Sequence, residues 1–263
     1  MNAMDAELVP IEYVSSLFKE YPLANDLLSE VVAFYRDSLV IRSAAIADDS
    51  SRYTLDVDAQ HLKFNRAIIK LNTSTNRQAA AACHELLHLQ LPLRKFPRIR
   101  SLESRPVHPN AETSVTNVVH HDIFKDNFTA LGFSLEQFLT RSKESINYKK
   151  LARDPRNQTT PYSVLWSWWR IEYLRHYISI SHGSKDSGRL ADKVAKWGDK
   201  AVPKFKQGMA LIRQWLSDGK HRQSTEYAVA MQKLFDIIQL PKITGFYSLD
   251  MDSNNQIILR AAQ

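Results

Sequence analysis

The segment at residues 84–88, His-Glu-Leu-Leu-His, constrains this chain more than any other feature. On a helix, two side chains four residues apart are separated by about 40° around the axis, so the imidazoles of His84 and His88 face the same way. Two neutral imidazoles at that spacing can bind one Zn²⁺. Glu85 lies about 100° round from His84, where it can reach a metal-bound water and accept its proton. The pattern predicts two metal ligands and a general base on one helix.

The residues around this motif predict a buried helix. Thr75, followed three residues later by Gln78, fits a capping box at its start, and Pro92 predicts its end. Four successive alanines favour the helix, and four leucines cover most of its circumference. A buried helix with two histidines and a glutamate needs partners for those groups, and a metal with its water supplies them. The alternative is a pair of core histidines satisfied by hydrogen bonds.

A second helix is predicted over about residues 111–131, because Asn110 can cap its start and Gly132 can end it. At 100° per residue, its large apolar side chains share one sector, which should face the core. These side chains are Phe124, Phe128 and Leu131.

This second helix carries the candidates for a third metal ligand. His120 and His121 flank the apolar sector, whereas Glu112 lies roughly opposite His121, and Asp122 lies off the sector. We predict His121 as the third ligand, and His120 and Glu112 stay open as alternatives. Asn117, one turn before His121, is a candidate to orient a ligand by hydrogen bonding.

With these residues the chain resembles the zincin metallopeptidases, which carry HExxH on an active-site helix. The resemblance covers roughly residues 50–132. It implies zinc ligation by His84 and His88 and a general-base role for Glu85. It also implies a short sheet whose edge can pair with an extended peptide substrate.

The longer metzincin motif, HExxHxxGxxH, is absent. Leu91 stands at its glycine and Arg94 at its third histidine. The third protein ligand must therefore come from farther along the chain, as in the gluzincin-like arrangement.

The expected fold class is α+β and mostly helical, with a zincin-like core, a short sheet before the HExxH helix and additional C-terminal helices. We expect residues 1–132 to form the metal-binding core and residues 133–263 a mainly helical region packed on it. Strands are expected at 53–57 and 67–71, and as a pair within 246–260, and a long basic loop at 93–110. Helices are expected at about 24–40, 134–146, 162–181, 184–200, 203–217 and 224–239.

Composition narrows the choice of compartment and partner. The chain has 263 residues, a net charge of +7 and one cysteine, Cys83, which we expect to be a small buried side chain rather than a ligand. A lone cysteine fits a reducing compartment, and neither a secretory signal nor a membrane span is evident, so a cytoplasmic protein is expected. The basic charge predicts only weak, non-specific contact with nucleic acid, since no motif that reads a sequence accompanies it.

The leading functional prediction is peptide-bond hydrolysis by a small intracellular zinc metallopeptidase acting on a peptide or protein substrate. Three residues of the aromatic helix at 162–181, Arg170, Tyr173 and His176, are candidate transition-state donors, although such a belt is more often core packing. The alternative is a basic nucleic-acid- or protein-binding protein whose zinc site is structural or vestigial.

Overall fold

The computed structural model of the protein describes residues 7–44, 51–58, 63–100, 111–134, 187–201, 218–238 and 245–262, with a few single positions between 137 and 214. Over these residues the fold is α+β, with helices and two small sheets. Helices α1 to α6 span Ile11–Leu17, Pro22–Tyr35, Gln78–Leu93, Ala111–Ala130, Ser187–Ala201 and Ser224–Ile238. Strands β1 to β6 span Leu39–Ser43, Arg52–Asp58, Lys63–Leu71, Arg98–Arg100, Gly245–Met251 and Ile257–Ala262.

The chain divides into two compact units. The first contains Met1–Arg98, Phe124–Thr140 and Tyr247–Gln263, and the second contains Ile99–Ile123 and Arg141–Phe246. Helix α4 therefore contributes residues to both units. The sequence-based division at residue 132 stays a prediction.

The sheet of the first unit has the strand order β1-β3-β2, with β3 parallel to β1 and antiparallel to β2. The outer edge of β1 is covered, because the Ser43 N–H donates to the Glu7 carbonyl at 2.8 Å and the Val9 N–H to the Ile41 carbonyl at 2.9 Å. Among the described residues, no strand pairs with the outer edge of β2. Strand β2 is therefore the edge strand of this sheet over the described part of the chain.

Helix α3 packs against α1, α2, β2 and β3. Its leucines lie in the core as the sequence predicts, with Leu86, Leu87 and Leu89 each at most 1% exposed. Two polar contacts from α2 hold the helix. The Tyr35 hydroxyl donates to the Leu89 carbonyl at 3.1 Å, and the Gln90 amide donates to the Glu30 carboxylate at 2.6 Å. The helix that carries HExxH is thus fixed on several sides.

The loop predicted at 93–110 contains strand β4 at Arg98–Arg100, and two predicted helix boundaries are also wrong. The helix expected at 24–40 ends at Tyr35, because Arg36 adopts a positive φ of 49° and the chain turns into β1. Pairing of β1 with β3 overrides the helical periodicity there. At the start of α3, Thr75 does not cap the helix. Its hydroxyl instead accepts the Arg77 N–H at 3.2 Å in a local turn, and the helix begins at Gln78.

Other elements are confirmed. Strands β2 and β3 contain the predicted segments 53–57 and 67–71, and α4, α5 and α6 match the predicted helices at 111–131, 184–200 and 224–239. The C-terminal strand pair, β5 and β6, is present on either side of the turn at 252–256. Predicted helices at 134–146, 162–181 and 203–217 lie mostly or wholly outside the described residues. Within the described residues, no helix has the length and apolar character needed to cross a membrane.

Candidate metal centre

Helix α3 presents the two motif histidines side by side. The ring centroids of His84 and His88 are 5.1 Å apart, with an interplanar angle of 36°. His88 is buried, with 2% of its surface exposed, and His84 is partly buried. The four-residue spacing thus places both imidazoles on one face, as helical geometry requires.

Two phenylalanines of α4 enclose these imidazoles. Phe124 meets both rings edge-on, at centroid distances of 4.8 Å from His88 and 5.7 Å from His84. Phe128 meets His84 at 6.4 Å. Both phenylalanines are at most 1% exposed, so the apolar sector predicted for α4 does face the core. Apolar walls of this kind limit water around the imidazoles and strengthen electrostatic interactions there.

His121 lies close to the two motif histidines. His84, His88 and His121 each offer a ring nitrogen, and these three atoms all lie within 4.8 Å of one another. For comparison, nitrogen ligands of one tetrahedral zinc ion, with Zn–N bonds of about 2.0–2.1 Å, lie about 3.3 Å apart. Among the residues that the structure describes, no other group of three histidine, cysteine or acidic side chains comes as close. The three histidines therefore lie near enough to bind a metal ion.

The two neighbours of His121 have partners within the second unit. The His120 Nε2 lies 3.1 Å from the Tyr227 hydroxyl. Asp122 hydrogen-bonds His221 and accepts two bonds of 3.2 Å from the Arg222 guanidinium. Asp122 is off the apolar sector as predicted, yet it is only 3% exposed, because residues of the turn before α6 cover it. The side chain of Glu112, the remaining alternative ligand, lies outside the described residues.

Glu85 is buried beside the histidines. Its carboxylate accepts the backbone N–H of Tyr53 in β2. Burial raises the pKa of Glu85 to about 8, while the Tyr53 N–H and the positive charge of Arg52 act in the opposite direction. A bound cation would also lower this pKa. A carboxyl group whose pKa lies near neutrality is well suited to accept and return a proton.

Burial also sets the state of His84. Removal from water lowers the pKa of His84 to about 4, because the charged imidazolium is the form that loses hydration. The ring is therefore neutral at pH 7, which is the state that a metal ligand needs. The adjacent thiol of Cys83 is fully buried, and it is not part of the histidine group. Cys83 thus behaves as the small buried side chain expected from the sequence.

Tyr53 is the residue that sequence reasoning missed. Its ring stacks on the His88 imidazole, with centroids 4.4 Å apart and 17° between the planes. The strand pattern at 53–57 predicted only that Tyr53 lies in a strand, and nothing in it pointed to the motif helix. The other candidates from the sequence, Arg170, Tyr173 and His176, lie outside the described residues. Asn117 lies in α4 one turn before His121.

Comparisons with protein-family models, with curated proteins and with solved structures give no match to this chain.

Proposed function

We propose that this protein is a zinc-dependent metallopeptidase with a zincin-like core. The observation that carries the proposal is the convergence of His84, His88 and His121, with the buried carboxyl group of Glu85 next to His84 on the same helix. Imidazole nitrogens and a neighbouring carboxyl group are the groups that metal-assisted hydrolysis uses.

The donor set favours a catalytic site over a structural one. Structural zinc sites are usually closed by four protein ligands, often cysteines, whereas catalytic sites keep one position open for water. The three members of the group here are all histidines, a ligand set known from catalytic zinc sites. Bound zinc would supply an acidic water and a cation that polarises a substrate carbonyl.

Glu85 has the role of general base. Its burial keeps the carboxyl group out of bulk water, and the Tyr53 N–H holds one carboxylate oxygen in place. From this position Glu85 would accept a proton from the attacking water as its oxygen bonds to the peptide carbonyl carbon, and would donate that proton to the leaving amine as the C–N bond breaks. A glutamine at this position keeps the shape but cannot take up the proton.

Strand β2 supports a peptide as the substrate. It is the edge strand of its sheet over the described residues, and its Tyr53 backbone bonds Glu85. An extended peptide that pairs with such an edge gains main-chain hydrogen bonds and passes beside the base. The lone cysteine fits a cytoplasmic site of action, where thiols stay reduced.

The test combines metal analysis with peptide hydrolysis by the full chain. Wild-type protein, E85Q and the control E20Q, which changes an exposed glutamate, are loaded with zinc and incubated with a library of quenched fluorescent peptides. We expect all three to hold about one zinc per chain, and only E85Q to lose hydrolysis. Hydrolysis by E85Q at the wild-type rate would refute the general-base role of Glu85. A wild-type zinc site with four protein ligands in X-ray absorption and no hydrolysis would favour the structural alternative.

A further inference from the structure

Tyr53 contacts two members of the candidate site at once. Its ring lies nearly parallel to the His88 imidazole at 4.4 Å, and its backbone N–H donates to the Glu85 carboxylate. Both contacts come from one residue of the edge strand β2, and both reach α3. The ring and the backbone of Tyr53 therefore link the orientation of a candidate ligand to that of the candidate base.

The phenol of Tyr53 is itself held in place. The Arg98 guanidinium donates to the Tyr53 hydroxyl at 2.9 Å and lies 5.2 Å from the centre of its ring. Arg98 also donates a hydrogen bond to the hydroxyl of Tyr247, a buried residue of β5. The N–H donors of a guanidinium have a fixed planar geometry. Because Arg98 donates to two phenols, it restricts the tilt of the Tyr53 ring.

We propose that Tyr53 is a positioning residue of the metal centre, acting through His88 and Glu85. An imidazole that binds a cation becomes electron-poor, and the electron-rich face of a phenol then attracts it more strongly. Stacking should therefore favour the metal-bound orientation of His88 over other rotamers. The part of this inference that concerns Glu85 rests on the proposed hydrolytic function, whereas the part that concerns metal binding does not.

The experiment measures metal binding by the full chain without any substrate. Zinc affinity is determined by competition with a chromophoric chelator, and the ligand field is recorded from the visible spectrum of the Co²⁺-loaded protein. The variants are Y53A, which removes the ring, and Y53F, which keeps it. The matched control is Y247F, which removes the other phenol hydroxyl that accepts from Arg98 and leaves the Tyr53 ring in place.

We expect Y53A to bind zinc about 10-fold more weakly, the lower end of what outer partners of a metal site contribute. Its cobalt spectrum should change even at saturating Co²⁺, which a merely structural role would not cause. Y53F should restore most of the affinity, and Y247F should resemble the wild type. If Y53A fails to fold, Y53L replaces it, because leucine keeps apolar bulk without a stacking face.

Wild-type affinity and an unchanged spectrum in Y53A or Y53L would overturn the proposal. An equal loss of zinc affinity in Y247F would also overturn the proposal, because the effect would then belong to Arg98 rather than to the stacked ring of Tyr53. Failure of the peptidase proposal looks different, since the wild type would then bind zinc with the same dependence on Tyr53 and hydrolyse no peptide.

Discussion

The ring of Phe124 meets the imidazole of His88 edge-on, with 4.8 Å between the ring centroids. Phe124 lies three residues after His121 on α4, and side chains three apart on a helix share a face. His121 and Phe124 therefore lie on neighbouring positions of one face of α4, and a ring nitrogen of His121 lies within 4.8 Å of those of His84 and His88.

The first prediction concerns the third ligand. H121A should weaken zinc binding far more than H120A or E112A, because among the described residues it is His121 whose ring nitrogen groups with those of His84 and His88 within 4.8 Å. Zinc affinity, measured by chelator competition, checks this order. The assignment fails if E112A is the most affected and both histidine variants bind normally.

The second prediction concerns the stability of the zinc-bound protein. An ion that binds only the folded state stabilises it by about 2.7 kcal/mol when its free concentration is 100 times the Kd. Thermal unfolding with and without zinc should therefore differ by several degrees in the wild type. H84A and H88A should show no such shift. A shift of wild-type size in either variant would place the stabilising metal elsewhere.

The third prediction concerns pH in the metal-free protein. The folded pKa of Glu85, about 8, lies above its ordinary value of 4.5, so its contribution to stability is present below pH 4.5 and is lost as pH rises toward 8. The folded pKa of His84, about 4, lies below its ordinary 6.5, so its contribution is lost as pH falls from 6.5 toward 4. Between about pH 4.5 and 6.5, a rise in pH lowers the stability contribution of Glu85 and raises that of His84, so the two effects oppose each other.

The fall in stability that Glu85 causes as pH rises should therefore be visible between about pH 6.5 and 8. There the folding equilibrium constant changes by up to about tenfold per pH unit. E85Q should flatten this fall in denaturant unfolding, and the exposed control E20Q should not. An equally steep fall in E85Q would mean that another group causes it.

The fourth prediction concerns Asp122. Its carboxylate is only 4% exposed as a side chain and bonds both His221 and Arg222. D122A leaves those two groups without their acceptor, and removing one partner of such a buried cluster costs about 3 kcal/mol or more. The control D126A changes an exposed aspartate one turn later and should cost little. Urea unfolding measures the loss in free energy of unfolding for both variants. Equal losses would contradict the structural role of Asp122.

The fifth prediction concerns nucleic acid. Binding to DNA should be weak, with a Kd of about 10⁻⁴–10⁻⁶ M at physiological salt, and should not depend on sequence, because only net charge favours it. Fluorescence anisotropy at several salt concentrations tests this. R94Q combined with K95Q removes two exposed cations and should reduce the salt dependence. Nanomolar, sequence-selective binding would favour the nucleic-acid-binding alternative.

Much of the site could be predicted from local periodicity. The spacing of His84 and His88 decides that their rings share a face, and the apolar sector around Phe124 and Phe128 decides which face of α4 is buried. These two facts favour the histidines of α4 as a third ligand, with His121 predicted and His120 and Glu112 left open, and the structure places a ring nitrogen of His121 within 4.8 Å of those of His84 and His88. Both inferences concern positions on a single helix, where about 3.6 residues per turn determine direction.

Contacts between distant segments could not be predicted in this way. Asp122 is buried by residues a hundred positions later, and Tyr53 reaches His88 only because β2 lies against α3. Neither residue belongs to a recognisable motif. The sequence alone determined which side chains share a face of one element, because that depends on local backbone geometry. Only the tertiary structure decided which faces meet, because strand pairing and helix packing join segments that local periodicity does not relate.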